Sequence, residues 1–297
     1  MRYIIILGQP SSRATTLDYY EDYKSFFERG VQESSNKTEV AYALFDDLHI
    51  QIGDGAMAIS DNRNNRELKE YDVVFFRGQF RDRIDVPFVV SNYLLDNQKF
   101  PVNDYSAHRS SSKLSQAYVF HKLGLPTPAT AYCTVTAIKN SVTQYPFILK
   151  DTYGSHGNLN FLVKSAEQLD EIAAEHPKTH FVQQTFIKND GDYRVLLIGD
   201  ETLVIKRSAA SDSHLNNTSQ GGSAEIIPSE TFPEKIVAES RTAIKSLGMT
   251  VAGVDVLYDA ATGEYYFLEI NSQPQLMSGA FVDEKAALLG EFLKKIQ

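Results

Sequence analysis

Val251-Ala252-Gly253-Val254-Asp255-Val256-Leu257-Tyr258 is followed, across a short polar turn, by Tyr265-Tyr266-Phe267-Leu268-Glu269-Ile270-Asn271. Both runs are rich in β-branched and aromatic residues, and the intervening stretch 260–264 carries a glycine, so together they read as a β-hairpin. Glu269 and Asn271 are two apart, which on a strand directs both side chains to one face. Pairing Tyr258 with Tyr266 across this loop sets Asp255 opposite Glu269 on that same face. A slip of one residue would send Asp255 to the other face. Two carboxylates and an amide oxygen facing one another among apolar neighbours repel unless a cation lies between them. Mg²⁺ takes oxygen ligands and is held by one or two carboxylates together with substrate phosphates. Spacing alone leaves a second reading open, in which Asp255 and Glu269 face solvent on an ordinary hairpin.

Upstream, strand signals cover 147–150, 159–163, 181–184, 193–198 and 202–206, with a tight turn at Gly199-Asp200-Glu201 joining the last pair. The apolar run ending in Lys150 leads into Asp151-Thr152-Tyr153-Gly154-Ser155-His156-Gly157-Asn158. Backbone N–H groups of such a Gly/Ser loop can fold over phosphates, and Lys150 at the sheet edge can reach one as a point charge. An ordinary hairpin turn accounts for the glycines equally well. The loop is neither a P-loop nor a dinucleotide fingerprint, because the Lys-Ser/Thr signature and the following helix are absent. Val182-Gln183-Gln184-Thr185-Phe186-Ile187 reads as a strand running into a connector whose backbone could meet an adenine ring. The polar run Asn216-Asn217-Thr218-Ser219-Gln220-Gly221-Gly222 follows Lys206-Arg207. It reads either as an anion- and metal-binding loop or as a loop bonding its own backbone.

The N-terminal third alternates strands (3–7, 39–45, 73–77 and 100–102) with helical stretches (from 16–30), which suggests a parallel sheet with crossover helices. Residues 61–66 read there as a polar loop. Helices are expected over 110–123, 229–247 and 282–296. Ligands of parallel α/β sheets bind beyond the C-terminal strand ends. Arg77 and Arg81, after one such strand, are candidates to grip a substrate carboxylate bidentately; as surface arginines they would merely balance an acidic chain.

Composition narrows the function classes. The 297 residues carry a formal charge of −9, which argues against coating nucleic acid or an anionic membrane, since either needs a basic face. The single cysteine, Cys133, excludes an internal disulfide and disfavours a thiolate zinc site. The apolar run 3–7 is too short for a signal segment or a membrane span, so a reducing cytoplasm is the expected location.

Taken in order, Lys113, F-I-L-K (147–150) with its glycine loop, V-Q-Q-T-F-I (182–187), D-Y-R (192–194), N-N-T-S-Q-G-G (216–222), A-G-V-D-V (252–256) and L-E-I-N-S-Q-P (268–274) resemble the ATP-grasp superfamily. The resemblance is to its RimK-like branch of ribosomal-protein glutamate ligases and related peptide-bond-forming enzymes, and it covers about 103–276. It implies a mixed α/β (α+β) ATP-grasp fold, with a Rossmann-like pre-ATP-grasp domain over 1–107, a small α+β lid subdomain over 108–187 and a C-terminal catalytic subdomain over 188–297. It further implies that Lys113 and Lys150 contact ATP phosphates beneath the Gly154, Ser155 and Gly157 loop. Gln184, Thr185, Phe186 and Ile187 would line the adenine site, and Asp192 would meet the ribose. Arg207 and Asn217 would face the transferred phosphate, with Lys206 a further cation. Asp255, Glu269 and Asn271 would hold two Mg²⁺ ions, which Mn²⁺ can replace.

Three positions depart from the family pattern. The hinge glutamate is Thr185, the arginine expected two residues before Asn217 is Leu215, and the usual N-A-S-P-G ending reads Asn271-Ser272-Gln273-Pro274-Gln275. The implied reaction is amide formation between a carboxylate and an amine, on small-molecule or peptide substrates, through an acyl phosphate. The alternatives are an ATP-grasp kinase of a small polyol and a nucleotide-binding regulator without turnover. Nucleic acid and membrane are not expected partners, and the sequence leaves a homo-oligomer open.

Overall fold

The structure is a computed structural model, and it describes residues 1–8, 17–31, 38–53, 55–78, 83–107, 112–141, 144–154, 159–208 and 222–296. Arg81, Ser155, Gly157, Leu215 and Asn217 lie outside the described residues.

The N-terminal region is a parallel sheet in the order β2-β1-β6-β7, built from β1 (Arg2–Leu7), β2 (Glu39–Leu44), β6 (Val73–Arg77) and β7 (Phe100–Val102). Strand β1 is a continuous apolar run because both faces are covered. Tyr3, Ile5 and Leu7 face α1 (Leu17–Val31) and α7 (Val282–Lys295), while Ile4 and Ile6 face α2 (Asp85–Asp96). The polar loop expected over 61–66 is the turn between two short strands, within a small sheet that was not expected. Strands β3 (Leu48–Gly53), β4 (Ala56–Asp61) and β5 (Arg66–Glu67) form a small antiparallel sheet, and only the turn between the last two is irregular. The alternation Leu48-His49-Ile50-Gln51-Ile52 is a strand signal that the sequence reading passed over, on a strand that is largely exposed.

A second sheet, β10-β9-β11-β8, comprises β8 (Thr130–Thr134), β9 (Phe147–Asp151), β10 (Asn160–Val163) and β11 (His180–Thr185). Helices α4 (Val135–Ser141) and α5 (Ala166–Glu175) cover it around a separate small core containing Phe147, Leu149 and Phe181.

The third sheet is five-stranded and antiparallel, in the order β14-β13-β12-β15-β16. It contains β12 (Asp192–Ile198), β13 (Glu201–Ser208), β14 (Ser223–Ile227), β15 (Val251–Tyr258) and β16 (Tyr265–Asn271). One face packs on α6 (Glu234–Ser246) and on α3 (Lys113–Lys122) through Phe120, Val254, Val256, Phe267 and Ile270. Helix α3 therefore packs with this C-terminal core. The other face shares a core with the N-terminal sheet through Leu196, Ile198, Leu203 and Ile205.

The hairpin register differs from the expected one near its tip. Tyr258 pairs with Tyr265, and Leu257 with Tyr266, until a bulge between Asp255 and Val256 shifts the register. Beyond it Asp255 stands opposite Glu269, as expected, although the pairing of Tyr258 with Tyr266 that led there is wrong. The bulge leaves Leu268 as the extra residue and turns Glu269 to the face of Asp255. Without it Glu269 would oppose Val254, whose side chain is in the core.

Candidate active site

One row of side chains crosses the five-stranded sheet: Arg194 on β12 is registered with Asp255 on β15, which faces Glu269 on β16. The next row holds Arg207 on β13 opposite Asp192 on β12. Arg194 donates from Nε and Nη2 to the two carboxylate oxygens of Asp255, at 2.8 and 2.7 Å. Nη2 of Arg207 lies 2.9 Å from Asp255 Oδ2, and its Nε donates to Asp192 Oδ1 at 2.6 Å. Burial would raise the Asp255 pKa, but the two guanidinium groups outweigh it and hold the carboxyl at about 2. At Asp192 burial prevails: the pKa is pushed up to about 6 despite Arg207, with Asp255 adding its repulsion.

Two lysines approach from outside this sheet. Lys113 opens α3, where Ser112 caps the helix by accepting from Ser115 N at 3.2 Å. Its Nζ donates to the Gly154 carbonyl and lies 3.9 Å from Glu269 Oε1. Lys150, near the end of β9, feels Glu269, Lys113, Asp255 and Asp192 together. Burial pushes its ammonium below the ordinary value, Glu269 opposes this, and Lys113 reinforces it. Lysines from two elements far apart in sequence thus converge on the carboxylates of the hairpin.

Helix α3 is fixed over β16 by Gln116, whose Nε2 donates to the Ile270 carbonyl and whose Oε1 accepts from Ile270 N, both at 2.8 Å. Asn103, just past β7, accepts from the amides of Thr250 and Val251 and donates to the carbonyls of Val251 and Ser272. It clips the N-terminal region to the start of β15 and the end of β16.

The oxygen donors suit Mg²⁺. A carboxylate offers about four lone-pair positions, and the two arginines occupy three on Asp255, which leaves one on Oδ1. Glu269 is partly exposed and meets only Lys113 in an ion pair among the described residues. Asn271 Oδ1 accepts from Gln273 N at 3.0 Å and keeps a second lone pair. No group of three or more His, Cys, Asp or Glu among the described residues is placed to hold a metal; the expected set depends on the asparagine. Arginine relieves Asp255, and Lys113 is the cation that Glu269 meets.

Other expected residues stand elsewhere. Lys206 alternates with Arg207 and lies on the opposite face, beside Tyr193 and 3.7 Å from Asp190. The Gln184 side chain is buried and donates to Thr130 Oγ1 at 3.1 Å, and Thr185 N donates to the Ala129 carbonyl. Phe186 and Ile187 leave the strand as a half-buried connector. Arg77 is not a surface arginine. It is 4% exposed, and its Nη2 donates to Tyr23 Oη at 3.3 Å and to the Pro274 carbonyl at 2.6 Å. Nη2 is thus engaged with Tyr23 and the Pro274 carbonyl, and Nε is buried without a hydrogen-bond partner among the described residues.

Sequence reasoning passed over Arg194, Gln116, Asn103 and Lys285 as site residues. Arg194 was legible, since it lies two from Asp192 on one strand face. Lys285 was legible as a charge at an apolar-stripe position with Val282, Ala286 and Leu289. Gln116 and Asn103 act by docking backbone, which leaves no local signature.

Residues 112–287 match the RimK-like ATP-grasp domain. The chain belongs to the RimK-like ATP-grasp family. A probable alpha-L-glutamate ligase of Teredinibacter turnerae is 31% identical over 209 residues, covering 66% of this chain and 67% of that relative. The alpha-aminoadipate–LysW ligase LysX of Saccharolobus solfataricus is 28% identical over 232 residues, covering 70% and 80%. Among solved structures, the ATP-grasp ligase PsnB, complexed with a phosphomimetic variant of its minimal precursor, Mg and ADP, superposes with a TM-score of 0.67 at 14% identity. That superposition covers 99% of this chain and 98% of that one, and it shows the shared ATP-grasp fold. This member of the family is an ATP-dependent ligase that joins a carboxylate to an amine. No helix among its described residues is long and apolar enough to cross a membrane.

Proposed function

We propose that this ATP-grasp ligase activates a carboxylate as an acyl phosphate and couples it to the amino group of an amino acid, on a peptide, protein or small-molecule acceptor. The observation that carries this reading is the convergence of Lys113 and Lys150 on the Asp255–Glu269 pair. Seven charged groups meet there: Lys113, Lys150, Arg194 and Arg207 against Asp192, Asp255 and Glu269. Their excess of one positive charge suits a polyphosphate brought in with divalent cations.

In this reading Lys113 and Lys150 hold ATP phosphates, with Gly154, Ser155 and Gly157 as further candidates to contact them. The connector 185–187 and Gln184 border the adenine, mainly through backbone, and Asp192 is the candidate for the ribose. Asp255, Glu269 and Asn271 would hold two Mg²⁺ ions. Ions held there would supply charge neutralisation for the transferring phosphoryl group. Arg207, with Asn217, steadies the oxygens of the transferred phosphate. The substrate carboxylate attacks the γ-phosphorus in line, ADP leaves, and the amine then displaces phosphate to form the amide. The protein contributes mostly positioning and charge neutralisation. The peptide or amino-acid acceptor is supported by the relatives' names, a glutamate ligase and an aminoadipate–LysW ligase.

The test is ADP release with panels of acids and amines, wild type against Glu269→Gln. Loss well beyond the ~10²–10³ of a single electrostatic donor is expected. Equal rates would sink the assignment of Glu269, and phosphorylated product without any need for an amine would favour a kinase.

A further inference from the structure

Strand β3, Leu48-His49-Ile50-Gln51-Ile52-Gly53, is the edge of its sheet, with no strand on its outer side among the described residues. Soluble proteins blunt such edges with a charge, a proline, a bulge, shortness or a covering element. Strand β3 shows none of these. It is six residues long, it has no lysine, arginine, aspartate or glutamate, and its ladder with β4 runs without a register shift. Strand β4 is the only described element that packs closely on it.

The register tells which backbone groups face outward. Gly53 pairs with Ala56 across a two-residue connection, so Gly53, Gln51 and His49 exchange hydrogen bonds with β4. The N–H and C=O groups of Leu48, Ile50 and Ile52 therefore point away from the sheet. The side chains of these three share one face. On it Leu48 and Ile50 are half-buried against the core that α2 covers, but Ile52 is 71% exposed. A cavity of about 460 Å³ beside Ile52 separates Ala56 and Met57 of β4 from Tyr93 and Asp96 of α2. Ile52 thus overhangs the end of that core.

A second copy of the same strand fits this edge. Antiparallel pairing about a twofold axis at Ile50 sets Ile50 against its own copy, and Leu48 of each copy against Ile52 of the other. Every one of these pairs joins outward-pointing groups and exchanges two backbone hydrogen bonds. Leu48 of one copy comes about 5 Å from Ile52 of the other, on the apolar face. On the opposite face His49 meets Gln51. No like charges are opposed, although the chain carries a net charge of −9. Asp46 and Asp47, just before the strand, are matched by Arg83 and Arg63. This self-complementarity favours a second copy over an unrelated strand.

We propose that β3 is an interface through which two copies of this chain join edge to edge, continuing the β3-β4-β5 sheet across a twofold axis. The inference is independent of the ligase reading, since β3 holds no residue of the ATP site. Edge pairing buries little area, which places it among weak interfaces, with a dissociation constant of roughly 1–100 µM.

Sedimentation equilibrium of the full chain, from about 1 to about 200 µM, tests this. The wild type is expected to pass from monomer to dimer across that range. Ile52→Lys, at an exposed position, should weaken the dimer about 10-fold or more, because an ammonium from each copy enters the apolar seam. Two double variants at the exposed His49 and Gln51 read the register. His49→Lys with Gln51→Lys opposes like charges across the axis and should weaken the dimer to a similar degree. His49→Lys with Gln51→Glu opposes unlike charges and should retain it. A wild type that stays monomeric throughout overturns the inference. So does a dimer indifferent to Ile52→Lys, or one that the two double variants affect equally.

Discussion

Lys285 and Asp255 are both buried, and Arg194 lowers the pKa of each, which keeps Asp255 charged and disfavours the Lys285 ammonium. Asp255 is held ionised by Arg194 and Arg207 against the cost of burial. At Lys285 burial lowers the pKa to about 8 from an ordinary 10.5, and Arg194 adds to the fall. Between those values the unfolded chain carries a proton that the folded chain does not, so stability rises with pH across that window. Below pH 8 the buried ammonium costs stability. Lys285→Met is therefore expected to unfold at higher denaturant concentration than the wild type at pH 7, by roughly 1–4 kcal/mol. The difference should shrink from pH 8 towards pH 10.5. Chemical denaturation of both proteins across that range checks the sign, and a gap independent of pH would contradict it. The residue types at this site were readable from the chain, and so was the idea that paired carboxylates need a cation. That arginine supplies it was not readable, because Arg194 and Arg207 reach Asp255 only after three strands have aligned.

At the scale of elements, α3 and the bulged β16 set the geometry. Phe267 and Ile270 both enter the same core although they are three apart, which breaks the period of two and marks the bulge. That clue lay in the sequence, but its consequence depends on the partner strand. Helix α3 carries Lys113 towards Glu269 and is docked through Gln116 alone among its polar side chains with both bonds on the Ile270 backbone. Gln116→Leu should leave that N–H and carbonyl buried without partners. The expected cost is about 2–4 kcal/mol of stability, accompanied by weaker ATP binding as Lys113 loses its placement. Thermal unfolding and nucleotide titration measure the two effects, and unchanged ATP affinity would show that Gln116 positions nothing.

For the whole molecule, the shared core beneath α1 and α7 joins the N-terminal sheet to the catalytic sheet. The two helices cross so closely that a Cβ on Gly290 would fall 2.3 Å from the Gly30 carbonyl oxygen. Backbone cannot yield as a side chain can, so Gly290→Ala should push the helices apart and cost about 1–3 kcal/mol. Thermal unfolding measures the effect, and an unchanged melting temperature would show that the two helices can separate freely. Arg77 and Asn103 make the same junction from the other side by holding the Pro274 carbonyl and the ends of the hairpin. The sequence by itself determined the alternation of strands and helices, the hairpin of 251–271, the shared face of Glu269 and Asn271, and the ordered motifs of the RimK-like family. These follow from local periodicity and covalent spacing. Tertiary structure alone decided that a bulge delivers Glu269 opposite Asp255, that Arg77 is buried against the 273–275 turn, that arginines neutralise Asp255, and that Lys285 is buried near Arg194. Each of these joins residues far apart in the chain, and burial and charge act through distance in space, which the order of residues does not encode.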